Sequence, residues 1–242
     1  MGISIRIGHL YPDMLNLYGD RGNIIVLTQR MKARGIDVYT EQITMGKSFR
    51  ADDYDILFIG GGQDFEQDVL LDDLKKGKDV EINKAIHNGT AMLAICGGYQ
   101  MLGKYYKTYD GKMLEYMGAL DFYTEGKEER MIGNYAFRTK EGIDVVGFEN
   151  HSGRTYLGNG VEPLGTVIKG CGNNGEDKTE GVRFKNTFGT YSHGPVLPKN
   201  PQLADLLITK AIENRYGKAE LAPLDDKLES LAQRQVMKLY IK

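Results

Sequence analysis

The sequence predicts an α/β protein built around a parallel sheet. Isoleucines alternate with polar residues over residues 3–7, which is the periodicity of a strand. Further strand patterns lie at residues 37–43, 56–59 and 91–95, and the segments between them contain helical patterns. Strands that alternate with helices are typical of parallel sheets with right-handed crossovers.

The helices of the first half can be placed from their end signals. Residues 24–34 form a predicted helix with Asn23 as its N-cap, and Gly35 suits the position after its end. One or two helices are expected between residues 65 and 87. A further helix is predicted over residues 99–106, directly after a pair of glycines.

The second half contains shorter strands, which we expect to be antiparallel or mixed and to extend the same sheet. They are predicted at residues 120–124, 135–138, 145–148, 182–184 and 188–192. Residues 170–181 are expected to form the solvated tip of a hairpin, and helices are predicted at residues 200–216 and 225–242. We therefore divide the chain into one domain, residues 1–216, and a C-terminal helical extension packed on it, residues 217–242.

Composition excludes several classes of function. The chain has 242 residues and a formal net charge of -2, with 31 Lys and Arg against 33 Asp and Glu. This near balance of charge argues against a basic surface that binds nucleic acid or a membrane. No apolar stretch reaches the roughly 18 residues of a membrane span. A strand stands where a signal peptide would be, and Cys occurs only twice, so we expect a reduced cytoplasmic protein.

The most informative stretch surrounds Cys96. The apolar strand of residues 91–95 ends at this cysteine, and Gly97 and Gly98 follow it. A sharp strand-to-helix turn needs small neighbours, and it places the thiol at a helix N-terminus that favours a thiolate. This is the pattern of a nucleophile elbow with Cys in place of Ser. The alternative is a structural cysteine that ends a core strand.

Two later segments are candidates for the same site. Residues 189–195 read GTYSHGP and place His193 at the end of a strand, where an imidazole can serve a Cys nucleophile as its base. Residues 147–155 read GFENHSGRT and are either a capped polar turn or a wall of the site.

Nucleotide and metal motifs are absent from the sequence. Glycines 60–62 follow a strand, but Phe65 occupies the third glycine position of a dinucleotide fingerprint. Residues 46–48 read GKS, but Glu41 stands where a phosphate-binding loop has its first glycine. The histidines are scattered, and no CxxC or HExxH occurs, so we expect no metal site.

Taken in order, four motifs resemble those of class I glutamine amidotransferases, in the cobyric-acid-synthase-like branch. They are the glycines 60–62, CGGYQ at Cys96, GFENHSGRT, and TYSHGP at His193. The similarity covers essentially the whole chain and is close to the glutaminase subunits of lipid II isoglutaminyl synthases. It implies a single-domain class I amidotransferase fold with a mixed central sheet, flanking helices and a nucleophile elbow.

The resemblance also implies roles for individual residues. Cys96 matches the nucleophile and His193 the general base. Gly62 and Gly97 match the positions whose backbone N–H groups form the oxyanion hole, which requires preorganised donors. Gln100 matches a residue that faces the substrate.

Two further positions concern the binding of substrate and the carboxylate that orients the base. Arg130 matches an arginine that holds the substrate carboxylate, and the alternative is a solvated surface arginine in a charged run. Many relatives have Glu two residues after the catalytic His, where this chain has Pro195. Either Cys96 and His193 act as a dyad, which we prefer, or another carboxylate such as Glu149 orients the imidazole.

The resemblance implies a glutaminase that hydrolyses L-glutamine through a glutamyl thioester. The ammonia would pass to an ATP-dependent, Mur-ligase-like partner in a heterodimer, which amidates the D-glutamate of lipid II to D-isoglutamine during peptidoglycan synthesis. ATP and magnesium would bind the partner, and this chain would hold no cofactor. The alternatives are a glutaminase for another amidase, of the cobyric-acid type, and a non-catalytic assembly subunit.

Overall fold

The computed structural model describes residues 2–240, without the side chains of residues 64 and 65. Its strands form two six-stranded sheets. In chain order the strands are β1 (Ser4–Leu10), β2 (Asp37–Ile43), β3 (Ile56–Ile59), β4 (Ala91–Ile95), β5 (Tyr105–Lys107), β6 (Met113–Glu115), β7 (Phe122–Thr139), β8 (Asp144–Leu157), β9 (Gly165–Lys169), β10 (Thr179–Glu180), β11 (Val182–Phe184) and β12 (Thr187–Thr190).

The first sheet has the order β11-β12-β4-β3-β1-β2. All its neighbouring strands are parallel except the edge pair β11 and β12. The α-helices are α1 (Arg21–Lys32), α2 (Asp64–Asp73), α3 (Asp79–Asn88), α4 (Gly97–Gln100), α5 (Pro201–Tyr216) and α6 (Lys227–Tyr240). The predicted α/β class with flanking helices is confirmed, and strands β2, β3 and β4 have the predicted bounds. Among residues 2–240, no helix has the length and apolar character needed to cross a bilayer.

The prediction that the later strands extend the first sheet is wrong for most of them. Only β11 and β12 join that sheet, whereas β5 to β10 form the second one. The long strands β7 and β8 pair with each other over most of their length. The charged residues 127–130 interrupt the strand pattern in the sequence, but in the structure they form an irregularity inside one continuous strand.

Three local predictions also differ from the structure. Helix α1 begins three residues before the predicted start, because Asn23 is buried and its side chain accepts a hydrogen bond from the Leu197 N–H (2.9 Å). The helix expected over residues 99–106 ends at Gln100, since the Lys104 N–H donates to the Phe122 carbonyl at the start of the second sheet (2.8 Å).

Residues 170–181 form a solvated tip only in part, because residues 170 and 175–178 are exposed whereas residues 172–174 are buried. Asn173 is fully buried, and its side chain bonds both the N–H and the carbonyl of Gly181. The Tyr99 hydroxyl, directly after the elbow, donates to the same Asn173 side chain (3.1 Å). This segment therefore packs behind the elbow.

Helix α6 lies against the second sheet and the start of α5. Its Gln233 amide donates to the Asp144 carbonyl (2.7 Å) and to the Asn200 side chain (3.0 Å). Val236 and Met237 pack against the buried side chains of the sheet. The division at residue 217 remains a prediction, and the last two residues of the predicted helix lie outside the described part of the chain.

Candidate active site

Cys96 occupies a strained turn between β4 and α4. Its backbone has φ 46° and ψ -107°, a conformation that non-glycine residues rarely adopt. The Cys96 N–H donates to the Thr190 carbonyl of β12, and its carbonyl accepts from the Gln100 N–H (both 2.8 Å). A Cβ on Gly98 would lie 2.6 Å from the Gly60 carbonyl oxygen, so the small residue after the turn is required. The predicted elbow geometry is present, and such strain is common at functional sites.

His193 lies three residues beyond the end of β12, the strand that pairs with β4. Its N–H donates to the Phe148 carbonyl of the second sheet (2.8 Å), which fixes the backbone between the two sheets. The side chain is fully buried. Within the described residues, neither ring nitrogen has a hydrogen-bond partner. A buried side chain without hydrogen-bond partners is uncommon and costs stability, which is typical of a catalytic group.

Asp20 is the carboxylate beside His193. Its Oδ2 atom lies 3.7 Å from His193 Nδ1 and accepts a hydrogen bond from the Gly61 N–H (2.7 Å). The Asp20 side chain is fully buried. The sequence alone does not single out this residue. Its only signal was an acidic residue directly before a helix, in the loop that follows a parallel strand.

Glu149, the alternative carboxylate considered from the sequence, is engaged elsewhere. Its two oxygens accept hydrogen bonds from the N–H groups of Cys171 (2.8 Å) and Gly172 (2.9 Å). Its Oε2 atom also lies 3.9 Å from Nε2 of His151. The geometry therefore favours Asp20 over Glu149 as the group that orients His193.

Three side chains converge on Gly61. A Cβ at this position would lie 2.6 Å from His193 Cε1, 3.1 Å from Asp20 Oδ2 and 3.4 Å from Cys96 Cβ. Burial lowers the pKa of His193, but the negative charge of a Cys96 thiolate and the Asp20 carboxylate outweigh it and raise that pKa to about 10. A protonated imidazole next to a thiolate is the pairing that a Cys nucleophile uses.

The two predicted oxyanion glycines lie next to each other beside Cys96. Gly97 is the first residue of α4, so its N–H has no acceptor within the helix. A Cβ on Gly97 would lie 2.7 Å from the carbonyl oxygen and 3.1 Å from the nitrogen of Gly62. Their role as an oxyanion hole stays a prediction.

A cleft of about 210 Å³ opens onto the thiol. Its lining includes Gly62, Cys96, Gln100 and Arg130, so the structure brings together four of the residues predicted from sequence. Gln100 is buried at its base, where its side chain accepts from Gln67 and donates to the Tyr191 hydroxyl (both 3.1 Å). Gln100 is thus held in one orientation by protein groups.

A bulge in β7 carries Arg130 to the cleft. Gly126 pairs with Gly153 and Met131 pairs with His151, so residues 127–130 stand opposite Ser152 alone. Extra residues in one strand bend it and redirect its side chains. The bulge explains why a residue from a charged run, which the sequence also allowed to be a solvated arginine, lines the same cleft as Cys96.

Buried polar groups support the strand that leads to His193. Glu180 accepts hydrogen bonds from the Thr190 hydroxyl (2.6 Å), the Tyr191 N–H (2.9 Å) and the Tyr135 hydroxyl (3.1 Å). Burial outweighs these bonds and raises the pKa of Glu180 to about 7. Tyr191 in turn stacks on His151 at 3.6 Å between ring centroids, and burial lowers the pKa of that histidine.

Within residues 2–240, no group of three or more His, Cys, Asp or Glu side chains is arranged to hold a metal ion. The chemistry on offer is that of a buried thiol, an imidazole and a carboxylate at the base of a cleft with an arginine in its lining. Such a set can attack a carbonyl carbon and transfer an acyl group.

The chain belongs to the CobB/CobQ-like glutamine amidotransferase domain family, whose model matches residues 6–201. It is similar to the lipid II isoglutaminyl synthase (glutamine-hydrolyzing) subunit GatD of Staphylococcus aureus, with 46% identity over 96% of this chain and 94% of that protein. It is also similar to the GatD subunit of Streptococcus pneumoniae, with 43% identity over 88% of this chain and 83% of that protein. The resemblance noted from the sequence is therefore confirmed.

Comparison with solved structures supports the fold. The structure of PurLQS from Thermotoga maritima has a TM-score of 0.55 and 16% identity, covering 88% of this chain and 99% of that one. A glutamine amidotransferase from the same organism also has a TM-score of 0.55 and 16% identity, covering 97% and 92%.

Proposed function

We propose that this chain is the glutaminase subunit of a lipid II isoglutaminyl synthase. The observation that carries the proposal is the convergence of Cys96, His193 and Asp20 on Gly61, at the base of a cleft whose lining includes Arg130. In this arrangement Arg130 holds the α-carboxylate of L-glutamine, and the side-chain amide reaches the thiol. Gln100 is part of the cleft wall that faces the substrate.

The reaction proceeds through a glutamyl thioester. The Cys96 sulfur attacks the side-chain amide carbon, and the backbone N–H groups of Gly62 and Gly97 stabilise the oxyanion that forms. The carbon–nitrogen bond then breaks, and His193 gives a proton to the departing ammonia. Water attacks the thioester as His193 takes its proton, which releases glutamate and restores the Cys96 thiolate beside the protonated imidazole. Asp20 stabilises the imidazolium and fixes the ring.

The ammonia goes to a separate ATP-dependent ligase, a MurT-like subunit that forms a heterodimer with this chain and amidates the D-glutamate of lipid II. This step rests on the names of the similar proteins, which are subunits of that synthase and align over most of their length. A cobyric acid synthase of Pelotomaculum thermopropionicum aligns over only 29% of its own length, which makes a corrinoid amidation the weaker alternative.

Cofactors and location follow from the same proposal. ATP and magnesium bind the ligase subunit, and this chain contributes none of their ligands. The reaction takes place in the cytoplasm, which is a reducing compartment that suits the free thiols of Cys96 and Cys171.

Reconstitution tests the proposal. The full chain, the candidate ligase, ATP, magnesium, L-glutamine and lipid II are combined, and the amidated product is read by mass spectrometry. We expect product only when both proteins are present, and a loss of roughly 100-fold or more in glutamine hydrolysis for His193→Ala, the contribution of a positioned acid–base group. Amidation by the ligase with glutamine in the absence of this chain would contradict the two-subunit proposal.

The wild-type complex supplied with ammonia instead of glutamine provides the control for the ligase. His193→Ala should amidate normally with ammonia, because only ammonia production depends on this histidine. A non-catalytic assembly role predicts the opposite: His193→Ala and wild type would then be equally active with glutamine.

A further inference from the structure

The guanidinium of Arg130 is held along one edge by a single residue. Its Nε–H donates to the Asn150 side-chain oxygen (2.8 Å), and its Nη2 donates to the Asn150 backbone oxygen (3.0 Å). A guanidinium offers a side fork, made by Nε and Nη2, and an end fork, made by its terminal nitrogens. Asn150 occupies the side fork and leaves the end fork for a bidentate contact with a carboxylate.

Both Asn150 acceptors are neutral, which matters for a residue that must bind an anion. A carboxylate in the same place would neutralise the guanidinium and compete with the ligand. Arg130 makes no ion pair with any side chain that the structure describes, although Glu128 and Glu129 precede it. Its charge therefore stays available while its orientation is fixed.

Tyr18 fixes Asn150 in turn. The Asn150 Nδ2 group donates to the Tyr18 hydroxyl, so the amide presents its oxygen to Arg130 and its nitrogen to Tyr18. The Tyr18 ring packs edge-to-face on His193, with ring centroids 5.0 Å apart. Tyr18 holds this place at a φ of 56°, a strained conformation for a residue with a side chain.

We propose that Asn150 and Tyr18 are positioning residues that aim the end fork of Arg130 at the α-carboxylate of glutamine and tie it to the side of the site that carries His193. This inference rests on the proposed role of Arg130 and extends it. Neither residue touches the reacting atoms. The pair sets the distance between the group that binds the carboxylate and the groups that attack the amide, and so favours a substrate of glutamine's length.

The experiment compares two reagents that alkylate Cys96 in the full-length chain. Iodoacetamide is small and neutral and needs no carboxylate site. 6-Diazo-5-oxo-L-norleucine has the length, α-carboxylate and α-ammonium of glutamine. The second-order rate constants are read by mass spectrometry of the modified protein. The rate constant for the glutamine analogue divided by that for iodoacetamide measures carboxylate recognition separately from thiol reactivity.

For Asn150→Ala we expect this ratio to fall roughly 10-fold or more, the value of an orienting charge-assisted hydrogen bond, with the iodoacetamide rate unchanged. Asn150→Asp should lower it at least as much, because the new carboxylate pairs with Arg130. Tyr18→Phe should lower it by a few-fold, since water can replace the lost hydroxyl at an exposed amide. The glutamine KM should rise in the same order with a smaller change in kcat.

Matched controls come from exposed residues elsewhere. Asn134→Ala lies on the same strand as Arg130, and Tyr39→Phe lies on β2 with a side chain 63% exposed, so both should leave the ratio unchanged. Arg130→Ala tests the carboxylate role of Arg130 separately from the positioning role of Asn150 and Tyr18. If it leaves the ratio unchanged, the proposed carboxylate role of Arg130 is wrong. If Arg130→Ala lowers the ratio but both Asn150 variants do not, Arg130 binds the carboxylate and the positioning inference is wrong.

Discussion

The carboxylate of Asp20 lies 3.7 Å from Nδ1 of His193, and both side chains are fully buried. Pro195 stands where many class I amidotransferases place the acidic member of a triad. In this chain the acidic residue beside His193 is distant in sequence and lies in the connection between β1 and α1. A buried carboxylate beside an imidazole stabilises its charged form and fixes its orientation. The sequence favours a dyad of Cys96 and His193, and the structure places Asp20 beside His193.

Asp20→Asn should shift the pH dependence of glutamine hydrolysis. Asp20 contributes to the raised pKa of His193, about 10, so removing its charge lowers that pKa. His193 then loses its proton at lower pH, and the alkaline limb of kcat/KM moves to lower pH, with roughly a 10-fold loss of rate. The measurement is a pH profile from 6 to 11, in which Asp37→Asn, an exposed residue on β2, should match wild type. An unchanged alkaline limb would show that Asp20 does not act on His193.

Cys96→Ser should abolish glutamine hydrolysis while leaving the protein folded. A hydroxyl has nearly the volume of the thiol but is a far weaker nucleophile at neutral pH. The loss should be roughly 1000-fold or more in ammonia release, with a circular dichroism spectrum and thermal midpoint close to those of wild type. Cys171→Ser is the matched control, because that thiol is half-buried and lies outside the cleft. Near-normal ammonia release by Cys96→Ser would rule out the nucleophile assignment.

Gly61→Ala should damage the site through geometry alone. The new methyl group would stand 2.6 Å from His193 Cε1 and displace the ring from Asp20 and Cys96. We expect a loss of roughly 100-fold in kcat, the value of a positioned acid–base group. Gly133→Ala adds the same methyl group in open space on β7 and should have little effect. Equal activities of the two variants would mean that the ring has room to move without cost.

Glu180→Gln should change how stability depends on pH. The folded-state pKa of Glu180 is raised to about 7, so between its ordinary value near 4.5 and pH 7 the folded state keeps a proton that the unfolded state releases. Wild-type stability therefore falls as pH rises through this window, by on the order of 1–3 kcal/mol. Gln carries no proton to release and removes that fall.

The measurement for Glu180 is denaturant unfolding at pH 4.5 and pH 8, compared as a difference for each protein. The difference cancels any constant cost of burying the new amide. Glu220→Gln, at an exposed position, should retain the wild-type difference. Identical differences for Glu180→Gln and wild type would show that Glu180 titrates normally.

The first sheet could be predicted well because its order follows local signals. Strands β2, β3 and β4 are short apolar or alternating runs bounded by glycines and polar turns, and each was placed with its exact bounds. Cys96 and His193 were found for the same reason, since Cys96 directly follows β4 and His193 lies three residues beyond β12. The carboxyl ends of parallel strands meet at one edge, so residues that follow them come together in the fold.

The second sheet depends on contacts that are distant along the chain, and the sequence did not reveal it. The charged run of residues 127–130 lies between two predicted strands, and only the pairing of β7 with β8 shows it to be a bulge within one strand. Asp20 was missed because a single acidic residue before a helix has many structural uses. Its role appears only when the loop after β1 meets the turn after β12.

Under the proposed function, the chemistry and the recognition of substrate lie on different sheets. Cys96 follows β4 and His193 lies beyond β12, both strands of the first sheet, whereas Arg130 and Asn150 belong to β7 and β8 of the second. Adding or removing a residue among positions 127–130 would move the arginine without altering the register of β4 and β12. An engineer could therefore redirect this enzyme toward a shorter or longer amide by changing the bulge, while the thiol, the imidazole and the carboxylate stayed where they are.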